Sequence, residues 1–311
     1  MTTDPDPQVQ AWLDDLDSAD QETAAQAALS VGILLQQRGD AAEAADYYRR
    51  AIDIGHPDHT PYAAFNLGLV LVTDLDDPHG AEEAFALAVE AGKDGARMMA
   101  DASEKELLSK AALALGEMRE SFLGDLSGAE WAYERATETR EWEQGPVAAI
   151  ALGRLRQHEL GDAPGAETAY DLALEFGHPD HEGRAAFLLG TLREDELDDP
   201  RGAEDAYRRA IGSNDDHYGP SASFNLGLLY AYALDDPERA ARAYQWAIES
   251  GHDEAAPLSA NALGCLRDDL GDLPGAVEAF RQAIESDHDE AAPTAAFNLG
   301  LVLEEKVDDL T

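Results

Sequence analysis

Histidine recurs at the predicted boundaries between repeats, and imidazole is the side chain best suited to hold a metal or transfer a proton. Four of these boundaries begin with a histidine, and two of the four carry His-x-x-His, as in His178-Pro179-Asp180-His181. The four histidines are His56, His178, His252 and His288. Two imidazoles and an aspartate form a partial zinc ligand set. However, the proline and the turn scatter these ligands, and a histidine beyond a helix end has a simple capping role. We therefore predict no metal site, and a metal-binding or catalytic protein that uses these turns is the alternative.

The remaining catalytic signatures are missing from the sequence. It contains no GxxxxGK[ST] phosphate loop, no GxSxG nucleophile elbow and no HExxH motif. The single cysteine, Cys265, has no predicted base beside it, and such a cysteine is most often a small buried side chain. We expect no enzyme activity and no cofactor.

The charge of the chain excludes several classes of partner. Its 311 residues include 64 acids and 22 bases, a formal net charge of −42. Such a surface repels nucleic acids and anionic lipids. The sequence also has no apolar run near the ~20 residues of a membrane span and no export signal at its N-terminus. We expect a cytoplasmic protein that binds neither nucleic acid nor membrane, its acidity reflecting either a salt-rich cell or a basic partner.

Internal repeats must position these residues. Phe65-Asn66-Leu67-Gly68-Leu69 recurs at 224–228 and 297–301, and weaker copies space the glycine by 36 or 37 residues, with one spacing of 48. After each of the first seven glycines comes Ala-x-x-x-aromatic-x-x-Ala, whose spacing describes one helical face. Each repeat is therefore predicted to be two helices, packed closely through small residues. The repeat glycines are Gly32, Gly68, Gly116, Gly153, Gly190, Gly227, Gly264 and Gly300.

This pattern resembles the tetratricopeptide repeat and the related Sel1-like repeat, and the resemblance covers residues 24–311. It implies an all-α fold, a right-handed α-solenoid of about seven and a half helix-turn-helix repeats. We predict a single solenoid over 24–311 with an insertion near 93–108. A partly disordered segment with a short helix, residues 1–23, precedes it.

The resemblance also implies a binding groove lined by a second stripe on the first helix of each repeat. In this family a groove asparagine can hydrogen-bond the main chain of a bound peptide. Lys110, Arg154 and Arg184 face the same side, but their repeats lack the asparagine, so we predict no clamp for a C-terminal carboxylate. The predicted groove stripe comprises Tyr62, Phe65, Asn66, Leu69, Phe187, Phe224, Asn225, Leu228, Tyr232, Phe297, Asn298 and Leu301.

Two roles remain open for the stripe aromatics, which either anchor a ligand or pack on the next repeat. Acids on the same stripe, among them Glu117, Glu194 and Asp268, favour a basic ligand with apolar side chains. The prediction is a scaffold or adaptor that binds another protein or peptide. A self-associating structural array is the second alternative.

Arginine occupies the third position after the repeat glycine in four copies, at Arg119, Arg156, Arg193 and Arg267. A partly buried guanidinium normally has an internal carboxylate partner. Glu130, Glu167 and Glu204 recur on the second helix of three of the repeats that contain these arginines, so we predict internal ion pairs. The alternative is a row of cations that awaits an anionic ligand.

Overall fold

A computed structural model of the protein describes residues 7–91 and 102–308. All the regular structure within these ranges is helical, and the α-solenoid prediction is confirmed. Residues 1–6 of the predicted N-terminal segment and 92–101 of the region around the insertion lie outside the described residues. The rest of the insertion forms the start of a long helix that begins at Ala102.

The chain divides into two compact units, residues 1–160 and 161–311. Three first helices, α6, α8 and α12, continue into single π-helical turns at Arg119–Leu123, Leu155–Glu159 and Leu229–Ala233. The first unit contains α1 (Pro7–Asp15), α2 (Gln21–Arg38), α3 (Ala41–Ile54), α4 (Thr60–Thr73), α5 (Pro78–Ala91), α6 (Ala102–Met118), α7 (Leu126–Glu138) and α8 (Gln144–Arg154). The second contains α9 (Ala163–Glu175), α10 (Pro179–Asp195), α11 (Pro200–Gly212), α12 (Tyr218–Leu228), α13 (Pro237–Ser250), α14 (Ala255–Asp269), α15 (Leu273–Glu285) and α16 (Ala291–Asp308).

Most second helices begin on an aspartate whose side chain accepts a backbone N–H. The Oδ1 atoms of Asp125 and Asp199 accept from the N–H three residues later, each at 3.0 Å, which satisfies a donor that the helix start leaves free. The residue before the aspartate takes a left-handed conformation. Glycine fills that position at Gly39, Gly124, Gly161 and Gly271, whereas Asp76, Asp198 and Asp235 fill it in the other three turns.

The core of a repeat is an aromatic ring seated on the repeat glycine. A Cβ atom built on Gly116 would lie 2.4 Å from the ring of Tyr133, and one built on Gly227 would lie 2.4 Å from the ring of Tyr244. The same contact joins Gly32 to Tyr48, Gly68 to Phe85, Gly190 to Tyr207 and Gly264 to Phe280. Only glycine permits this approach, so the predicted close packing of the two helices is confirmed.

None of the helices in the two described ranges combines the length and apolarity that a membrane crossing requires.

Candidate binding surface

In the first unit the groove stripe lies on α4. Tyr62, Phe65, Asn66 and Leu69 are all half-buried. The ring of Phe65 lies 5.9 Å from the ring of Phe85, the core aromatic of the same repeat. Phe65 therefore packs inward on its own repeat and leaves part of its side chain exposed.

A cavity of about 520 Å³ lies beside this helix, and we call it the first-unit cavity. Its wall combines apolar surface from three first helices with two carboxylates, Glu117 and Glu120, and one base, Arg154. Phe122, in the π-helical turn after α6, lies at the edge of the cavity and is 63% exposed. The lining residues are Leu69, Val72, Phe85, Ala114, Glu117, Met118, Glu120, Ser121, Phe122, Tyr133, Ala151 and Arg154.

The two carboxylates of this cavity differ in their surroundings. Glu120 accepts a hydrogen bond of 2.6 Å from the hydroxyl of the buried Tyr133, and this bond fixes the position of the Glu120 carboxylate. Burial, and secondarily the charge of Glu120, raises the pKa of Glu117. A cation that entered the cavity would relieve both effects, because it would neutralise a carboxylate held in a poorly solvated place.

In the second unit the stripe divides into packed and exposed members. Phe187 on α10 lies 6.3 Å from the ring of Tyr207 and 5.6 Å from that of Tyr218, and Phe224 on α12 lies 6.3 Å from Tyr244. Leu228 is also half-buried. By contrast Tyr232 is 80% exposed, and Phe297 and Leu301 on α16 are 68% and 47% exposed. Phe187 and Phe224 therefore serve the core in part, whereas the other aromatics are free to contact a ligand.

Two of the three groove asparagines already have internal partners. Asn298 donates to the Oδ1 of Asn261 at 3.1 Å and contacts the Sγ of Cys265 at 3.4 Å. Asn225 hydrogen-bonds the hydroxyl of Tyr207 in the preceding repeat. A peptide main chain would have to replace these bonds, and the sequence prediction did not include Asn261. The repeat alignment contains the signal, since Asn261 stands where Phe187 and Phe224 stand in other copies.

Cys265 lies at the same place in the groove, and its thiol is kept protonated. Burial raises its pKa, and the neighbouring charges of Asp269 and Asp268 raise it further. A thiol of this kind is a poor nucleophile.

The acids of the stripe are partly held by core tyrosines. The Tyr207 hydroxyl donates to Glu194 at 2.8 Å, as Tyr133 does to Glu120, and Tyr48 donates to Gln36 at 2.6 Å. Burial raises the pKa of Glu194, although the bond from Tyr207 lowers it. The sequence analysis missed this link, for which the repeats give only a partial signal. The apolar Val72 matches Phe85, but Ala231 matches Tyr244 and Asp268 matches Phe280.

The arginine row forms internal ion pairs in three of its four members. Arg119 contacts Glu82 at 2.7 Å, Arg156 contacts Glu130 at 2.8 Å and Glu134 at 2.6 Å, and Arg193 contacts Glu167 at 2.8 Å and Asp171 at 3.3 Å. In each case the acid belongs to the second helix of the preceding repeat. Internal pairing is confirmed for these three, but the expected partners within the same repeat are wrong, because Glu130 and Glu167 bind the arginine of the following repeat.

Arg267 makes only a long internal contact, with Asp272 at the start of the second helix of its own repeat, 4.0 Å away. The physical reason is that Ala241 stands where Glu130 and Glu167 stand in other repeats, so no carboxylate faces the guanidinium from the preceding helix. Glu204 is not paired with a row arginine either, because Tyr230 replaces the arginine opposite it.

The boundary histidines act on the helix that follows them. The Nδ1 atom of His252 accepts the backbone N–H groups of Glu254 and Ala255 at 3.2 Å, and His288 does the same at 3.3 and 3.2 Å for Glu290 and Ala291. They therefore cap helix starts, whereas we expected them to cap the preceding helix ends. Across residues 7–91 and 102–308 no three His, Cys, Asp or Glu side chains meet in a group that could hold a metal.

Comparison with known proteins gives a consistent result for the fold. The sequence profile of the tetratricopeptide repeat family matches residues 261–309. The C-terminal part of a TPR repeat-containing protein from Cytophaga hutchinsonii superposes with a TM-score of 0.60 at 12% identity, covering 86% of this chain and 98% of its own. No curated protein matches the sequence.

Two smaller structures are also similar in part. YrrB, described as a TPR protein with an unusual peptide-binding site, has a TM-score of 0.48 at 20% identity and covers 70% of this chain and 98% of its own. MamA has a TM-score of 0.47 at 21% identity and covers 59% of this chain and 93% of its own.

Proposed function

Because the chain carries tetratricopeptide repeats, we propose that it is a scaffold that binds a segment of another protein on its first helices. The observation that supports this most directly is the row of partly exposed aromatics on the groove stripe. Phe65 and Phe224 keep part of their side chains accessible, and Tyr232 and Phe297 are largely exposed. Aromatic side chains with little rotamer freedom are the residues that most often anchor a bound segment.

The charge of the surface supports a basic partner. The first-unit cavity presents Glu117 and Glu120 beside the exposed ring of Phe122, so an arginine or lysine could enter with its aliphatic stem against the ring. The chain carries 64 acids against 22 bases, which would speed the encounter with a basic segment. The ligand that fits best is a basic segment with interspersed apolar side chains.

The same charge balance leads us to propose that the protein acts in the cytoplasm and binds neither nucleic acid nor membranes. A phosphate backbone would meet repulsion over most of this surface. The proposed role is binding and requires no cofactor.

Binding can be tested with a fluorescein-labelled dodecapeptide that alternates lysine with leucine and phenylalanine, measured by fluorescence anisotropy. We expect Glu117→Gln with Glu120→Gln to weaken binding about tenfold, because a charge-assisted contact in a poorly solvated place is lost. Glu83→Gln with Glu90→Gln is the matched control, since these two acids are exposed on α5 and do not line the first-unit cavity. The control pair should bind like the original protein.

Two results would contradict the proposal. If a peptide with glutamate in place of lysine bound equally well, the basic preference would be wrong. If no peptide bound and light scattering showed mass rising with protein concentration, the self-associating array would be the better description. Phe224→Ala tests the stripe separately, and unchanged peptide binding would argue against the stripe as the contact surface.

A further inference from the structure

A second cavity, which we call the arginine cavity, is formed by α11, α12 and α13 in the second unit. Its volume is about 260 Å³, and its lining includes Arg208, Arg239 and Arg242 together with Tyr230 and Trp246. The lining contains no acidic residue, although acids outnumber bases 64 to 22 in the chain. It also shares no residue with the groove stripe. Three guanidiniums therefore line one cavity, whereas the acids that contact them lie outside its lining.

The other repeats show how unusual this arrangement is. Arg208 occupies the position of Glu134 and Asp171, the acids that bind row arginines elsewhere. Tyr230 occupies the place of the row arginine itself. Arg239 replaces the glycine found three residues after five of the other six aspartates that begin second helices, as at Gly202. Compared with the other repeats, this one has a base, Arg208, in place of an acid. Its guanidinium beside Glu204 comes from Arg239 on the second helix and not from the first helix.

The carboxylate inside this cluster is already shared. Glu204, only 14% exposed, accepts from the Tyr230 hydroxyl at 2.8 Å and contacts Arg208 and Arg239, each at 3.0 Å. Arg239 also binds Asp236 at 2.6 Å and stacks over the Tyr230 ring at 4.5 Å. The nearest acid to Arg242 is Glu238, 4.0 Å away. Arg208 and Arg242 both line the cavity, and a guanidinium has five donors, so each can donate to a further acceptor there.

We propose that the arginine cavity binds an acidic segment of a partner protein, with a glutamate or aspartate carboxylate between Arg208 and Arg242 and an apolar neighbour against Trp246. Glu204, which contacts these arginines from outside the cavity lining, is the precedent, because it shows that a carboxylate fits between two of the guanidiniums. The indole of Trp246, which is 41% exposed, supplies the apolar wall. The paired N–H donors of arginine match the geometry of a carboxylate.

A singly charged carboxylate suits this place better than a phosphate. Glu204, Asp236 and Glu238 surround the cluster and would repel a dianion more strongly than a monoanion. A second copy of the chain is disfavoured as the partner, because two bodies of charge −42 repel one another. The proposed partner is therefore a different protein.

The test uses the full chain and a fluorescein-labelled dodecapeptide that alternates glutamate with leucine and phenylalanine, followed by anisotropy. We expect Arg208→Gln with Arg242→Gln to weaken binding at least about tenfold, since two charge-assisted contacts are lost. Arg201→Gln is the matched control, because Arg201 is exposed on α11 and does not line the cavity. Circular dichroism should show equal helix content in all three proteins.

Several results would overturn the proposal. These are no binding by the original protein, equal binding of a glutamine-substituted peptide, or equal loss in the Arg201→Gln control. Displacement by millimolar inorganic phosphate alone would indicate a site for a free anion, and tighter binding of a phosphoserine peptide would indicate a phosphate site. Concentration-dependent mass that disappears in Arg208→Gln with Arg242→Gln would identify a second copy as the occupant. The groove variant Phe224→Ala should bind this peptide normally, so failure here is distinct from failure of the groove.

Discussion

Substitution of a repeat glycine tests the packing directly, and Gly227→Ala is the clearest case. In an ordinary exposed helix this change stabilises by about 1 kcal/mol, because alanine has the higher helix propensity. Here the new Cβ would lie 2.4 and 2.5 Å from Cε1 and Cδ1 of Tyr244. That ring is 1% exposed, and Ala240 and Ala247 on the same helix are fully buried, so a shift of the ring would have to displace buried neighbours.

The expected cost follows from that geometry. The ring would have to move by about 1 Å to restore an ordinary carbon–carbon contact, and overpacking of this size costs about 3 kcal/mol. After the gain in propensity of about 1 kcal/mol, Gly227→Ala should destabilise by about 2 kcal/mol. The midpoint of thermal unfolding, followed by circular dichroism at 222 nm, should fall by about 4 to 8 °C.

Gly300→Ala is the matched control, because nothing lies within 4 Å of the Cβ position of this helical glycine on α16. It should leave the midpoint unchanged or raise it by a few degrees, about 1 kcal/mol at most. Combining Gly227→Ala with Tyr244→Leu should recover part of the loss, since the smaller side chain vacates the contested volume. Equal effects at Gly227 and Gly300, or a stabilised Gly227→Ala protein, would refute the reasoning.

Four further predictions follow from the contacts of the described residues. Arg156→Ala should destabilise the protein by about 2 kcal/mol in urea unfolding, because it leaves Glu130 and Glu134 without their shared cation. Arg267→Ala, with its nearest acid at 4.0 Å, should change stability by under about 0.5 kcal/mol. Equal effects of the two substitutions would contradict the assignment of these ion pairs. Because burial raises the pKa of Glu117 in the folded state, its ionisation opposes folding as pH rises, so Glu117→Gln should raise the midpoint at about pH 7 and lose this advantage near pH 3; a pH-independent gain would be evidence against it. Asp198→Gly should stabilise by about 1 kcal/mol in urea unfolding, since Asp198 has a φ of 51°, and a loss of stability would mean that its side chain contributes more than its conformation costs. Helical ellipticity at 222 nm should be nearly the same in dilute buffer and in about 1 M KCl, because the Ala, Leu and aromatic core does not depend on salt, and a large gain of helix with salt would indicate a halophilic protein instead.

Much of the fold could be predicted because the contacts that form a repeat join residues of that same repeat. The spacing of Gly227, Ala240 and Tyr244 places a glycine against an aromatic, and this contact lies within a single pair of helices. The aspartate caps are likewise local, since the Asp199 side chain accepts from the backbone N–H of Gly202, three residues later.

The candidate site was harder to predict because its contacts join different repeats. Arg119 pairs with Glu82, thirty-seven residues earlier, and Asn298 with Asn261, also thirty-seven residues earlier. These partners depend on how one helix pair stacks on the next, which the pattern inside a repeat does not specify. Comparison of the copies with one another would have revealed some of these pairs. Leu71 takes the place of Arg156 in the repeat whose preceding second helix has Ala45 in the place of Glu130.

The arginine row also bears on how the array loses its structure. In a linear array, stability is the sum of the stability of each repeat and the coupling at each junction. Arg193 with Glu167 strengthens one junction in the second unit, but Ala241 opposite Arg267 leaves another without an ion pair. The row position on α16 is Leu303, so the junction of α15 and α16 lacks this pair as well. Opening should therefore begin among α14 to α16, whose amide hydrogens should exchange with solvent sooner than those of α10 and α11. Unfolding would then start at a weakly coupled junction and spread to the neighbouring repeats, so the chain need not unfold all at once.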